Sequence, residues 1–400
     1  MRLSDRINKM QSSPIRRLVP YANKARKAGK NVIPLNIGQP DIKTPDGFFK
    51  ALDEFKQSVL AYGVSEGDHN LINIIREYYK GYDIDFDEDE VIITNGGSEA
   101  LLFSIMAICD PGDNILVAEP FYTNYNSFAA INNVSVRAIT TRAEDGFHFP
   151  KREEIEKRID ENSRAFLLNN PGNPTGVVYT PEEVRMMVDI AVSHDMFIIA
   201  DEVYREFIYG DEEYLSFGNC ENGKNNVVIV DSVSKRYSAC GARIGCLASK
   251  NKDFMKAVLK LCQARLCVPT LEQLGATALY KTPVSYFKEV NVEYKKRRDV
   301  TMDKLSKIDG IVCLEPKGAF YIAAKLPVDD AEKFIIWMLE EFDCEGDTLM
   351  MTPLEGFYAT KGLGKNEVRI AYVLETPKLE RAMTVLEKAL QTYPGYTLRG

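Results

Sequence analysis

The 400-residue sequence is poor in several things, and each shortage closes off a class of function. Its three histidines, His69, His148 and His194, are too few and too scattered for a metal site or a nucleophile–base triad. None of its eight cysteines forms a Cys-x-x-Cys pair, and several sit in apolar runs. Buried free thiols are therefore expected, rather than zinc ligands or disulfides. No apolar run approaches the roughly 20 residues that span a bilayer, and MRLSDRINKM lacks the apolar stretch of a signal peptide. A cytoplasmic protein is the expectation. No Gly-x-Gly-x-x-Gly follows a strand and opens a helix, which removes a nicotinamide dehydrogenase. Acids exceed bases only by 58 to 50, with no charge blocks, so neither nucleic acid nor a membrane surface is expected as a partner. Internal repeats and low-complexity tracts are missing as well.

What is present is an ordinary globular composition, 45% hydrophobic, in a chain longer than one core usually organises. A large and a smaller domain are expected. Short apolar runs alternate with helical patterns between about residues 91 and 250, the signature of a mostly parallel sheet wrapped by helices. Strands are predicted at 91–94, 114–118, 134–138, 164–169, 196–200, 227–231 and 244–248. Helices are predicted near 98–109, 151–160 and 181–195, the last behind a Thr180 cap with Pro181 at its first position. Longer helices and short strands follow after residue 250. The expected fold is α/β: a mostly parallel seven-stranded sheet with helices on both faces, plus a smaller α+β domain. Residues 1–45 would form an arm and part of the small domain, 46–285 the large domain, and 286–400 the rest of the small one.

In an open parallel sheet, ligands collect beyond the carboxyl ends of the strands. Three polar stretches follow predicted strands: NNPGNPTG (169–176), DEVYREF (201–207) and DSVSKRYSACGARIG (231–245). In order and at strand ends, they closely resemble the fold type I pyridoxal-phosphate aminotransferases of class I/II, the aspartate aminotransferase-like group. The resemblance runs from about residue 33 to the end. It centres on Ser234-Lys235 with Arg243 eight residues later.

The resemblance implies a cofactor, pyridoxal 5′-phosphate, carried on Lys235. Chemistry agrees, because a lysine that forms a Schiff base needs a cationic or desolvated setting to spend time as a neutral amine. Asp201 matches the carboxylate that keeps the ring nitrogen protonated, with a helix-capping aspartate as the bland alternative. Asn173 and Tyr204 match the partners of the ring's 3-oxygen, and Tyr122 the aromatic that stacks on the ring. TNGGSEALLFSIM (94–106) has the form of a glycine turn opening a helix, which supplies anion donors. The family pattern then puts Gly97, Ser98, Glu99, Ser232, Ser234 and Arg243 around the phosphate. Tyr62 matches a tyrosine that reaches the neighbouring subunit's phosphate, implying a homodimer with shared active sites. Arg369, with Gly38 and Asn173, matches the holder of the substrate α-carboxylate.

The implied reaction moves an amino group between an L-amino acid, aspartate as first guess, and a 2-oxo acid such as 2-oxoglutarate. A carbon–sulfur β-lyase shares the fold and these cofactor residues and is the alternative. A DNA-binding regulator of this fold is not expected, because the match begins too near the first residue to leave a helix-turn-helix ahead of it. Arg265, set among Leu266, Cys267 and Val268, needs an anion if buried. Either a substrate carboxylate or an internal one would serve.

Overall fold

The computed structural model describes residues 1–398. The first strand, β1 (Asn31–Pro34), lies apart from the main sheet. That sheet is built from β2 (Val91–Thr94), β3 (Asn114–Glu119), β4 (Ser135–Thr140), β5 (Ser163–Asn169), β6 (Phe197–Asp201), β7 (Val227–Ser232) and β8 (Gly245–Ala248). Their order is β2-β8-β7-β6-β5-β3-β4, seven strands as expected from the sequence. β8 runs antiparallel to both neighbours, and the other adjacent pairs are parallel. The reversal has a simple cause. Only a four-residue helix, Val233–Arg236, and a short turn separate β7 from β8, which is little chain for a parallel crossover.

Strands buried on both faces read as unbroken apolar runs, and these do. Along β6, Ile198 and Ala200 face one core while Ile199 faces the other. The helices His69–Lys80 and Pro181–Ser193 cover the first face through Leu71, Ile75 and Met187. Gly96–Ile108 and Lys252–Arg265 cover the second through Leu101 and Val258. Each such side chain, fully buried, contributes roughly 1.5–3 kcal/mol. The Thr180 hydroxyl accepts from the Glu183 amide, and the Glu183 carboxylate closes the capping box. The helix expected over 151–160 is shorter, Arg152–Glu156. Asp160 accepts from the Asn162 amide at 3.0 Å, a local turn that competes with further helix.

A second layer carries β9 (Tyr321–Lys325), β10 (Asp347–Met350), β11 (Thr352–Pro353) and β12 (Glu367–Ala371). β1 pairs with β10 in parallel, so the beginning of the chain is knitted into its last third. β12 lies between β11 and β9, antiparallel to both. Leu18, Val32, Tyr294, Phe334, Leu349, Ile370 and Leu386 share one core there. All eight cysteines are free thiols, five of them buried. Among the described residues, no helix is long and apolar enough to cross a membrane, and no cluster of ligating side chains could hold a metal ion.

The short helix after β7 is pinned by a buried ion pair. The Arg236 guanidinium meets the Asp231 carboxylate with neither side chain exposed, and lies 4.3 Å from the centre of the Tyr78 ring. The Tyr79 hydroxyl also donates to Asp231, at 3.0 Å. Arg236→Ala leaves that carboxylate without its cation and should lower stability by about 3–5 kcal/mol in urea denaturation. A loss under about 1 kcal/mol would mean the pair does not hold the helix.

Candidate active site

The carboxyl ends of β5, β6 and β7 deliver NNPGNPTG, Asp201 and the Ser232–Lys235 segment to one edge of the sheet. A cavity of about 420 Å³ opens there, bounded on its other side by residues around Gly38, Tyr321 and Arg369. It lies where an open α/β sheet binds ligands.

Asp201 sits in the cavity wall at 5% exposure. Its carboxylate accepts from the Tyr125 hydroxyl at 2.7 Å and from the Val203 amide at 3.5 Å. Burial pushes its pKa up to about 6, against the pull of these two bonds. The Lys235 Nζ, half-buried in the same cavity, donates to the Gly38 carbonyl at 2.9 Å. Gly38 has no room for a side chain, since a Cβ there would strike the Tyr321 hydroxyl. Asn173 is fixed by its own amide donating to Asn169 Oδ1 at 2.7 Å. Its side-chain amide lies 3.5 Å from the Tyr204 hydroxyl, which is 2.9 Å from that of Tyr321. Burial, with Tyr321 alongside, keeps the Tyr204 hydroxyl protonated far above its ordinary range. Burial also pushes the Tyr122 hydroxyl up to about 12.

One end of the cavity is built for an anion. Gly97 and Ser98 line it at the start of Gly96–Ile108, where free amides and the helix dipole favour negative charge. Gly96 takes φ +73°, and a Cβ on it would strike the Arg243 guanidinium. Arg243 itself adopts φ +52°, a left-handed conformation unusual for a residue with a side chain. Its Nη2 lies 3.3 Å from the Asn95 carbonyl and its Nη1 3.2 Å from that of Cys240. The hydroxyls of Ser232 and Ser234 are 2.7 Å apart beside it. At the other end Arg369, 2% exposed, donates to Asn173 Oδ1 at 3.0 Å and to the Asn36 carbonyl at 2.6 Å. It stacks 4.6 Å over the Tyr321 ring, and its Nε is buried with no partner among the described residues.

Of the residues singled out from the sequence, Gly38, Gly97, Ser98, Tyr122, Asn173, Asp201, Tyr204, Ser232, Ser234, Lys235, Arg243 and Arg369 line this one cavity. Three do not. Glu99 turns back on its own helix, accepting from the Asn95 amide at 2.8 Å, and its carboxylate lies 3.7 Å from Arg265 Nε. Arg265 therefore has an internal carboxylate beside it and also donates to the Ser65 carbonyl at 3.2 Å. Tyr62 is 83% exposed and stands clear of the cavity of its own chain. Sequence reasoning missed Tyr125, Tyr321, Asn169 and Arg16. Tyr125 lies three residues after Tyr122, in the same EPFYTNY stretch. Tyr321 comes from β9, which pairs with the strand bearing Arg369, a relation visible only once the strands are paired.

A family model described as aminotransferase class I and II matches residues 30–386. Among similar proteins, a probable aspartate/prephenate aminotransferase of Aquifex aeolicus is 30% identical, over 97% of this chain and 98% of that one. An aspartate aminotransferase of Thermotoga maritima is 31% identical, over 98% of this chain and 100% of its own. Among solved structures, an alanine aminotransferase from Pyrococcus furiosus superposes with a TM-score of 0.89 at 30% identity, covering 98% of this chain and all of that one.

Asp201 offers a test that needs no turnover. Its pKa of about 6 in the folded protein stands above its ordinary 3.8, so the fold holds its proton more tightly than the unfolded chain does. Stability from this group is therefore lost as pH rises from about 3.8 through 6, and the ionised carboxylate is a standing cost above that. Asp201→Asn should raise the Tm of cofactor-free protein at pH 8, and the gain should shrink as the pH is lowered through 6. A gain of the same size at every pH would mean that burial does not raise this carboxylate.

Proposed function

The chain belongs to the class I and II aminotransferases, and on that footing we propose that it moves the amino group of an L-amino acid, aspartate first, to a 2-oxo acid such as 2-oxoglutarate, with pyridoxal 5′-phosphate held on Lys235. The observation that carries the reading is the meeting in one cavity of Lys235, Asp201 and Arg369, a buried guanidinium that has no carboxylate beside it and whose Nε has no partner among the described residues. A guanidinium edge out of water and unpaired is costly, and the carboxylate common to all α-amino acids would satisfy it with two parallel bonds.

The groups lining the cavity suit the cofactor. Gly97, Ser98, Ser232, Ser234 and Arg243 would hold its phosphate. Asp201, buried and with no ion-pair partner among the described residues, would hold the proton on the ring nitrogen. Asn173 and Tyr204 would donate to the 3-oxygen, and Tyr122 would supply the aromatic surface for the ring. When bound, pyridoxal phosphate supplies the electron sink that lets the Cα–H bond break. Lys235 Nζ is the group that takes and returns the proton at Cα. Asn36 and Asn173 keep the Arg369 guanidinium aimed for the α-carboxylate.

The working protein in this reading is a homodimer, with Tyr62 of the partner subunit completing each phosphate site. Val59, Leu60, Tyr62, Val64 and Leu266 are large apolar side chains left exposed, a surface that a second copy would cover. Residues 46–285 then form the cofactor-binding domain, and 1–45 with 286–400 the smaller one, a division supported by the pairing of β1 with β10.

Borohydride reduction of purified protein should fix one pyridoxyl group on the peptide containing Lys235, detected by mass spectrometry. Lys235→Ala should lose amino transfer by several orders of magnitude. A protein that cannot be loaded, or a label on another lysine, would overturn the assignment. Release of pyruvate and ammonia from a cysteine thioether without amino transfer would favour the β-lyase instead. Mixing Tyr62→Ala with Lys235→Ala should restore part of the activity through hybrid dimers with one intact site. No recovery after subunit exchange would count against shared sites.

A further inference from the structure

The ionic composition of the cavity is lopsided. Four cationic side chains line it, Lys235, Arg243, Arg369 and Arg16, against one acid, Asp201. Three of the cations are held by protein groups: Lys235 by the Gly38 carbonyl, Arg243 by two carbonyls beside the helix start, and Arg369 by Asn173 and Asn36. Arg16 is different. Its exposed guanidinium has no hydrogen-bond or ion-pair partner among the described residues.

The chain around Arg16 is nevertheless tied down. Leu18 is buried in the core of the second layer. The adjacent Arg17 pairs with Glu332. Asn36 Nδ2 lies 3.4 Å from the Ile15 carbonyl, and the carbonyl of the same Asn36 accepts from Arg369. This chain of contacts sets Arg16 at the Arg369 end of the cavity, and its charge acts on the Tyr122 hydroxyl.

We propose that Arg16 selects substrates with an acidic side chain by pairing with the distal carboxylate of a dicarboxylic amino or 2-oxo acid. The proposal rests on the transaminase reading of the same cavity. With Lys235 given over to the cofactor, a ligand whose phosphate meets Arg243 and whose α-carboxylate meets Arg369 leaves only Arg16 of the four, and a second carboxylate matches it. Arg265, the other arginine considered for this task, already lies beside Glu99. Because Arg16 is exposed, a neutral side chain would leave it hydrated rather than stranded. The preference for acids is accordingly moderate, with neutral substrates slower but accepted.

The test uses isosteric pairs, glutamate with glutamine and aspartate with asparagine, on cofactor-loaded wild type, Arg16→Gln and Arg16→Lys. In Arg16→Gln the acid-to-amide ratio of kcat/KM should fall by about 2- to 5-fold, the worth of an exposed charge pair. Arg16→Lys should keep part of it. Independently of turnover, calorimetry should show succinate binding to wild-type holoenzyme more weakly as salt rises and more weakly still to Arg16→Gln. Equal losses for acid and amide, with succinate binding unmoved, would overturn the proposal. A wild type that binds succinate through Arg16 yet transfers no amino group would sink the transaminase reading and leave the anion site standing.

Discussion

A carboxylate kept out of water without a cation is the constraint around which this site is arranged. Three acidic groups are buried where β6 and β7 end: Asp201, Glu202 and Asp231. Glu202 is neutralised by Arg205, with Ser216 and the Phe217 amide donating as well. Asp231 is neutralised by Arg236 and bonded by Tyr79. Asp201, adjacent to one and across the strand pair from the other, receives a tyrosine hydroxyl and a long backbone bond. Buried charges are normally paired, and two neighbours show that this protein can supply arginines where it needs them. The unpaired one lines the cavity. A protonated ring nitrogen is a cation of the right kind to complete it, which is the physical content of assigning pyridoxal phosphate to this chain.

The remaining groups depend on that carboxylate being held still and on the second layer being held against it. The short helix bearing Lys235 is fixed from below by Asp231 and Arg236. From above, Lys235 reaches Gly38, and Thr44 donates to the Ser238 carbonyl at 2.8 Å. Arg297 holds the same N-terminal stretch through Asp41 at 2.6 Å and also reaches the Val373 carbonyl. The cavity is thus a seam between two layers, tied by these polar contacts and by apolar packing in which Tyr204 and Phe207 share a core with Phe320 and Tyr321. Such a seam keeps polar groups pointed at a ligand while leaving it room to enter.

Much of this was legible in the sequence because it is recorded locally. Strands buried on both faces are written as consecutive apolar residues, and the seven predicted strands fall within two residues of those observed. The strand-end motifs carry the groups in the cavity wall within short windows of chain. What was not legible depended on contacts outside the motifs. Glu99 reads as a phosphate-side residue from its turn, and its carboxylate is found bonded to Asn95 and 3.7 Å from Arg265, far along the chain. Tyr321 gains its place from the pairing of β9 with β12. Arg16 sits in a segment with no motif, and its position follows from Leu18, Arg17 and Asn36.

These two kinds of residue also divide the work. The groups proposed to handle what every substrate shares, Asp201, Asn173, Tyr204 and Arg369, are buried and bonded to one another or to neighbouring main chain. Changing Asn173, Tyr204 or Arg369 strands a partner in a dry environment, so each of these is costly to alter. The guanidinium proposed to read the side chain is exposed and has no bonding partner among the described residues, so altering it disturbs little else. A site built this way fixes its chemistry firmly and its substrate loosely. One fold can then serve different amino acids with few substitutions, and side-chain preference is best sought among the rim residues that the rest of the structure does not need.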